Sequence, residues 1–504
     1  MQEPQAPQPS IWANRTIQML LLWVLLVGFH YPHSDTYVWD DTLLIGINPW
    51  KDNLPNWWWI WTNSLWTDIP GEHRLQWYRP LMASHIVFDQ WLLGDWVQGK
   101  QWINLLWFGG MLTCLGYWLE KALQVSRTKT VWLSILIIAH PFSTELTQFI
   151  AARNDTMTLT FALLSGIIAH RGPSLPHSVA VALFAWLGLC SKESGLVWLA
   201  LFFLCQPIRL KEQWKGLGMA GLCWFLLKSN ATLTAIPFTW DGTNLWSNLS
   251  NLTVWPVTHH HPLSPVPPTF NLIGFTILGC MGLNAKSIQQ KWGLMVFITG
   301  SGLALLSIEQ SHSLGFRYAW IPLLGQLIWL TTTLPSRYTS ILGLLALWFG
   351  YQSIQIGIIW ENNNQFWDHG YHETPNPHIA CGSFMESRQT PTKALERLEQ
   401  SLQPPPMDHC CAQATRYPLE LNRPDVAIQM GRLALHNGCP EFPELLEPMA
   451  MAYGLQSQWE KAIETTKQYQ GTPFGYKPLL EVAWEQQHGQ TDALRHWTTS
   501  PEEE

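Results

Sequence analysis

The sequence predicts an all-α protein in two parts, a polytopic bundle of about 11 transmembrane helices followed by a smaller domain of helical repeats. Only 13% of its 504 residues are charged, against roughly 25% in an ordinary soluble domain. Thirty-two residues are tryptophan, which concentrates at membrane–water interfaces. Charge is also uneven, because residues 361–504 carry 10 Lys and Arg against 20 Asp and Glu, whereas residues 1–360 carry 19 against 16.

The first part, residues 1–360, contains apolar segments near the length of about 20 residues that crosses a bilayer. The predicted spans lie at 12–29, 101–119, 131–149, 156–170, 177–190, 194–208, 214–230, 270–285, 292–308, 317–334 and 338–359. Basic residues favour cytoplasmic loops, and their distribution puts the long loops 30–100 and 231–269 on the outer side. We therefore expect an integral protein of a bacterial inner membrane whose acidic C-terminal domain, residues 361–504, lies in the periplasm.

Ionisable residues near the ends of the predicted spans gather on the outer side. They are Asp40, Asp41, Arg79, Glu145, Arg153, Asp155, Lys192, Glu193 and Arg317. A charge at membrane depth is costly and usually marks a functional site. This mixture of acids and bases suits a substrate with a phosphate in the headgroup plane and a reacting group just above it.

The same residues belong to short motifs that carry a family resemblance. In chain order the motifs are Tyr37-Val38-Trp39-Asp40-Asp41, Tyr78-Arg79-Pro80-Leu81, His140-Pro141 with Thr144-Glu145, Ala152-Arg153-Asn154-Asp155, Ser191-Lys192-Glu193, and Arg317-Tyr318 with Pro322. In this order and at these helix ends they resemble the glycosyltransferases of the GT-C fold that use lipid-linked sugars. The resemblance is strongest to the protein O-mannosyltransferases that carry tetratricopeptide repeats, and it covers most of residues 35–325.

The resemblance implies that one sugar, with mannose as the candidate, moves from a polyprenyl-phosphate carrier to a Ser or Thr hydroxyl of an exported protein. An acidic residue of the first outer loop is then the catalytic base, which a hydroxyl nucleophile needs, whereas a phosphate leaving group needs no protonating acid. We expect Asp40 to be the base and Asp41 to orient the acceptor or bind a divalent cation, Mg²⁺ or Mn²⁺, with the reverse order open. A single displacement would invert the anomeric centre.

The remaining candidates would bind the donor. Arg79, Lys192 and Arg317 are assigned to the phosphate, because developing negative charge is best met by preorganised cations. Glu145, Arg153, Asp155 and Glu193 are assigned to sugar hydroxyls or to these cations. Each residue also has a structural alternative: the two aspartates as helix caps, Arg153 with Asp155 and Lys192 with Glu193 as ion pairs of sequence neighbours, Glu145 as satisfied by another helix, and Arg317 as an interfacial side chain.

Two other readings of the whole chain stay open. The acceptor could be lipid A or another glycolipid, or the protein could be a non-enzymatic scaffold that recruits partners through its repeats. Nucleic acid is excluded as a partner, because the acidic domain offers no basic face to phosphates. Three further motifs give weaker evidence of function. Trp57–Trp59 is interpreted as an interfacial helix and His259–His261 as a candidate metal tract, and Gly216, Gly218 and Gly221 match a dinucleotide-binding motif but lack the strand that must precede it.

The C-terminal domain is predicted to be an α-solenoid that docks protein acceptors. Helical segments lie at 393–398, 423–436, 443–453, 458–469 and 478–488, and residues 445–463 resemble one tetratricopeptide repeat. Cys381, Cys410, Cys411 and Cys439 are disulfide candidates, and because adjacent cysteines seldom bond to each other, bridges from Cys381 and Cys439 to Cys410 and Cys411 are expected. A zinc site that adds His409 is the alternative.

Overall fold

The computed structural model describes residues 15–46, 48, 51, 57–63, 78–204, 206–231, 281–283, 285–311, 316–335, 338–373, 377–404, 406, 408–439, 441 and 443–467. The chain forms two compact units, Met1–Phe366 and Trp367–Glu504. The prediction of loop 231–269, of the His259–His261 tract and of the helix at 478–488 falls outside the described residues, except for Ala231 at the end of a helix.

The first unit is built from helices. They are α1 (Arg15–Phe29), α2 (Trp57–Ile60), α3 (Pro80–Leu93), α4 (Val97–Ala122), α5 (Arg127–Ala139), α6 (Phe142–Gln148), α7 (Arg153–His170), α8 (Leu175–Ser191), α9 (Gly195–Leu204), α10 (Pro207–Ala231), α11 (Ile288–Ser311), α12 (Phe316–Thr333), α13 (Thr339–Ile359) and α14 (Asn363–Glu373), the last of which runs into the second unit. A short π-helix covers Thr42–Gly46, and a 3₁₀ turn covers Ile150–Ala152. Gly216, Gly218 and Gly221 lie inside α10, which is not the strand-to-helix turn that a dinucleotide motif requires.

The predicted bundle of about 11 transmembrane helices is wrong, although the described residues are all-α. Within the described ranges, one segment, Ser340–Ile359 of α13, is long and apolar enough to cross a bilayer, judged by length and composition. The helices Arg15–Phe29, Leu175–Ser191 and Gly195–Leu204 are apolar but shorter.

Two physical features explain the error. Some predicted spans are interrupted where one helix ends and another begins. In the segment 131–149, α5 ends at Ala139 and is followed by the seven-residue helix α6. Long helices also carry charge where a span would need apolar residues. Helix α10 begins with Arg209, Lys211, Glu212 and Lys215 in its first three turns, and α7 carries Arg153 and Asp155 in its first turn.

Helices α11 and α12 show how closely two elements of the first unit pack. A Cβ atom on Gly293 of α11 would lie 2.9 Å from the carbonyl oxygen of Gly325 of α12. One on Gly300 would lie 2.8 Å from the backbone nitrogen of Pro322. The two backbones therefore approach through glycine, as in helix pairs with small residues at the crossing.

The second unit contains α15 (Pro377–Glu386), α16 (Pro391–Ser401), α17 (Asp408–Glu420), α18 (Pro424–His436), α19 (Pro443–Leu455) and α20 (Trp459–Lys467). Disulfides join Cys381 to Cys410 and Cys411 to Cys439, so the adjacent cysteines bond outward and these four sulfurs are not available to zinc. The four cysteines lie in a buried cluster with side chains such as Phe384, Leu398 and Tyr417. The bridges therefore connect α15, α17 and Cys439, the third residue after α18, in one core.

Candidate functional site

Trp39 holds the backbone that leads into the two aspartates. Its φ angle is +57°, a left-handed conformation that is rare for a bulky side chain. The indole stacks on Phe149 at 5.2 Å and on Phe366 at 5.8 Å between ring centroids, and its backbone N–H donates to Oδ1 of Asn363 at 2.8 Å. Strained backbone of this kind persists where the surroundings fix it, typically at functional sites. The position of Asp40, the next residue, is thereby fixed.

The structure gives the two aspartates different environments. Asp41 is 2% exposed, and its Oδ2 and Oδ1 accept the backbone N–H groups of Ile150 at 2.7 Å and Ala151 at 2.8 Å. Burial raises the pKa of Asp41 to about 8, and the neighbouring Asp40 adds to this, while the two N–H donors and Arg153 oppose it. Asp40 is only partly buried. Asp41 therefore ties the first loop to the turn before α7, and Asp40 is the more accessible carboxylate.

Six of the charged residues form three ion pairs that connect three elements. Each element supplies one cation and one anion: Arg79 and Asp89 from α3 and the residue before it, Arg153 and Asp155 from the first turn of α7, and Lys192 and Glu193 from the junction of α8 and α9. The pairs are Arg79 with Glu193, Lys192 with Asp155, and Arg153 with Asp89. The expected pairs of sequence neighbours are absent from these three, because residues one or two apart do not face each other on a helix.

Arg153 occupies the buried centre of this network. Its side chain is 0% exposed, and besides Asp89 it donates to Oδ1 of Asn104 at 2.6 Å and to the carbonyl oxygen of Lys100 at 2.9 Å. Burial raises the pKa of Asp89, and the guanidinium of Arg153 opposes this shift. Arg153 was predicted to bind substrate, but its three partners come from α3 and α4. Its position suits holding these helices against α7.

The other two pairs are more accessible. The Nε atom of Arg79 lies 3.3 Å from Oε2 of Glu193, and the side chains are 13% and 24% exposed. The Nζ atom of Lys192 lies 2.7 Å from one oxygen of Asp155 and 2.8 Å from the other. Because Lys192 and Glu193 are consecutive, both pairs meet at one short junction. Arg79 and Lys192 are thus two partly exposed cations whose ion pairs share the junction of α8 and α9.

Glu145 lies in α6, every residue of which is buried. Two side-chain hydrogen bonds fix the chain around α6: Gln148, the last residue of α6, donates to the carbonyl oxygen of His30 at 3.0 Å, and Asn104 of α4 donates to that of Phe149 at 2.8 Å. The segment that follows supplies the two N–H donors of Asp41. Glu145 is therefore 0% exposed, on the rigid segment that supports Asp41.

The remaining predictions concern Arg317, a divalent-cation site and the tryptophan-rich helix. Arg317 is the second residue of α12, and its side chain lies outside the described part of the chain. A divalent-cation site is not formed by the described residues, among which there is no group of three or more His, Cys, Asp or Glu suited to a metal ion. Both oxygens of Asp41 already accept backbone N–H groups. The helix Trp57–Ile60 is present, but the side chains of Trp57 and Trp58 are outside the described set.

Sequence reasoning missed Asp89, Lys100 and Asn104. The buried Nζ of Lys100 donates to the hydroxyl of Tyr37 and to Oε1 of Gln90, each at 2.6 Å. The bond to Tyr37 connects α4 to the Tyr37–Asp41 motif. A signal was available, since a lone acid or amide in an otherwise apolar helix, such as Asp89 after Ile86-Val87-Phe88, is rarely buried without a partner.

Comparisons of the chain with models of protein families, with curated proteins and with solved structures find no match.

Proposed function

We propose that this chain is an inverting glycosyltransferase that moves one sugar from a polyprenyl-phosphate donor to Ser or Thr hydroxyls of exported proteins. The observation that carries the proposal is the fixed backbone at Trp39, which holds the partly buried Asp40 beside an anchored Asp41. Asp41 accepts from Ala151, four residues before Asp155, and Asp155 pairs with Lys192. A base and phosphate-binding cations are thus linked through one short helical turn.

The chemistry needs only these groups. The acceptor hydroxyl attacks the anomeric carbon while its proton passes to the carboxylate of Asp40. The bond from the anomeric carbon to the phosphate oxygen breaks, and its electron pair leaves with the phosphate. Arg79 and Lys192 meet the added negative charge, which in a site shielded from water is usually the largest contribution to catalysis. One displacement inverts the anomeric centre.

Glu193 and Asp155 would hold these two cations before the donor binds. Each carboxylate lies within 3.3 Å of its cation. An arriving phosphate would compete for the same N–H donors, and the released carboxylates could then accept hydrogen bonds from sugar hydroxyls. This assigns Glu193 and Asp155 to the sugar and leaves Arg153 as a positioning residue. Mannose remains the candidate sugar by resemblance alone.

A lipid-linked donor requires contact with a bilayer, and α13 supports this. Its exposed apolar side chains recur every three or four residues along one stripe. They are Ile341, Leu344, Leu347, Tyr351, Ile354 and Ile358, each between 43% and 70% exposed. A contiguous apolar stripe on a surface usually marks a membrane or protein contact. We assign α13 to the membrane, in which the polyprenyl chain is dissolved.

The second unit is assigned to the exported acceptor. Disulfides persist in oxidising compartments such as the periplasm, so the bonds Cys381–Cys410 and Cys411–Cys439 favour an extracytoplasmic location. Its consecutive short helices from Pro377 to Lys467 are of the kind that present extended surfaces to polypeptide. Transfer to a protein would then depend on this unit.

The test compares intact masses of exported proteins from cells that make the wild-type chain or Asp40→Asn at equal abundance. Asp35→Asn is the matched control, because Asp35 is an exposed acid of the same loop whose carboxylate accepts from Gln98 at 2.7 Å. A hexose-sized increment present with wild type and Asp35→Asn and lost with Asp40→Asn supports the proposal. An increment unchanged by Asp40→Asn overturns the assignment of the base, and its absence from all exported proteins overturns the protein acceptor.

A further inference from the structure

Helices α1, α4 and α5 line a half-open cavity of about 260 Å³ that is separate from the candidate site. Its inner end is lined by Leu26 and Ile138, each 1% exposed, and by Leu112. Its outer end is lined by Arg15, at the start of α1, and by Arg127, at the start of α5. We call this cavity the α1–α4–α5 groove. An apolar cavity of about 150 Å³ already accepts benzene, so this one has room for a longer hydrocarbon.

Three hydroxyl groups of the groove wall donate hydrogen bonds within their own helices. Thr113 donates to the carbonyl oxygen of Gly109 at 2.9 Å, Thr130 donates to that of Ser126 at 3.3 Å, and Ser134 donates to that of Thr130 at 3.0 Å. The hydroxyl protons therefore point away from an occupant, and the wall offers mainly methyl, methylene and ring surface. Such a wall suits an alkyl chain and gives a sugar few donors.

The outer end has the opposite character. The Nη2 atom of Arg15 lies 3.2 Å from Oε2 of Glu120, and Nε of Arg127 donates to Oε1 of Gln18 at 2.7 Å. Among the described residues that line this end, Arg15 and Arg127 are cationic and Glu120 is anionic, so cationic side chains outnumber anionic ones in the lining. Guanidinium groups match the geometry of phosphate oxygens and are less strongly hydrated than ammonium groups. An anionic phosphate is the complementary headgroup.

We propose that the α1–α4–α5 groove binds a phospholipid with an anionic headgroup, with one alkyl chain inside and the phosphate between Arg15 and Arg127. The groove is distant from the ion-pair network: Lys100, whose carbonyl accepts from Arg153, and Glu120 are 20 residues apart on α4, or about 30 Å at 1.5 Å per residue. The proposal does not depend on the proposed sugar transfer.

The test measures binding to the full-length protein in detergent by native mass spectrometry. The probes are phosphatidylglycerol, diacylglycerol, which has the chains without the phosphate, and glycerol phosphate, which has the phosphate without the chains. We expect phosphatidylglycerol to bind at least tenfold more tightly than either of the others. Equal binding of diacylglycerol would overturn the role of the arginines, and equal binding of glycerol phosphate would overturn the role of the groove.

Two variants locate the site. Arg15→Gln combined with Arg127→Gln should weaken the binding of phosphatidylglycerol at least tenfold. Thr113→Phe, which fills the groove from an exposed position of α4, should weaken the binding of phosphatidylglycerol and of diacylglycerol at least tenfold. Arg171→Gln is the matched control, since Arg171 is exposed and lies outside the groove lining. If the double variant and Thr113→Phe both bind phosphatidylglycerol as tightly as Arg171→Gln does, the groove is not the site.

Discussion

Replacing Arg153 tests whether the buried ion pair holds the candidate site together. Arg153→Gln removes the only cation that pairs with Asp89 among the described contacts, together with the hydrogen bonds to Asn104 and to the carbonyl of Lys100. The side chains of Arg153 and Asp89 are 0% and 1% exposed, so solvent cannot replace the lost partner. Leaving one member of a buried pair alone costs about 3–5 kcal/mol. We expect a loss of that size in the free energy of unfolding.

The assay is urea unfolding of the full-length protein in mild detergent, followed by tryptophan fluorescence. Arg209→Gln is the matched control: Arg209 pairs with Glu212 at 2.8 Å, but both side chains are about 30% exposed, and such pairs contribute about 0–1 kcal/mol. The double variant Asp89→Leu with Arg153→Met should recover part of the loss, because apolar residues of similar volume often replace a buried pair without cost. If Arg153→Gln costs no more than Arg209→Gln, the network does not stabilise the site.

Other contacts give predictions that can be measured on the same protein. The folded state raises the pKa of Asp41 from 3.8 to about 8, so the stability that Asp41 contributes is full below about pH 4 and is lost as the pH rises through 8. The free energy of unfolding of Asp41→Asn, measured across this range, should not show this decrease. Parallel pH profiles for the variant and wild type would contradict the prediction. Removing Cys381–Cys410, which closes a loop of 29 residues, should cost the second unit about 3–4 kcal/mol, measured as the difference between Cys381→Ser with Cys410→Ser and wild type, and no difference would contradict the stapling role. Gly293→Leu should destabilise the first unit by about 1–3 kcal/mol or more, because its side chain would meet the backbone of Gly325, whereas Gly282→Leu, where the added atom meets nothing within 4 Å, should be nearly neutral. Lys192→Gln should weaken use of the donor when compared with wild type at the same folded fraction, because it removes a cation assigned to the phosphate, and an unchanged KM and kcat would remove Lys192 from the phosphate site.

Part of the candidate site could be predicted from the sequence. Lys192, Asp155, Arg79 and Glu193 were singled out because charges near apolar segments need a reason, and the structure joins them in two pairs. The partners were not predictable in the same way. Each pair links residues from different helices, 37 residues apart for Lys192 and Asp155 and 114 apart for Arg79 and Glu193, and hydropathy carries no information on such contacts.

The fold was less predictable than the site. Counting apolar residues in a window does not show where a helix must break. Between α6 and α7, for example, the N–H groups of Ile150 and Ala151 bind Asp41, 109 and 110 residues away. The helical character of both units follows from local pattern. The 11-span prediction failed because it treated apolar composition as evidence for membrane crossing, whereas buried side chains such as Trp118 and Phe202 pack against each other.

The most direct test of the proposed function is sugar transfer by the purified full-length protein from a radiolabelled polyprenyl-phosphate sugar to an acceptor protein. Wild type, Asp40→Asn and Asp35→Asn are compared at the same folded fraction. Loss of a positioned base typically lowers the rate 10²–10⁴-fold, so transfer by Asp40→Asn should fall by that factor while Asp35→Asn stays near wild type. Transfer by Asp40→Asn at the wild-type rate would contradict the assignment of Asp40 as the catalytic base.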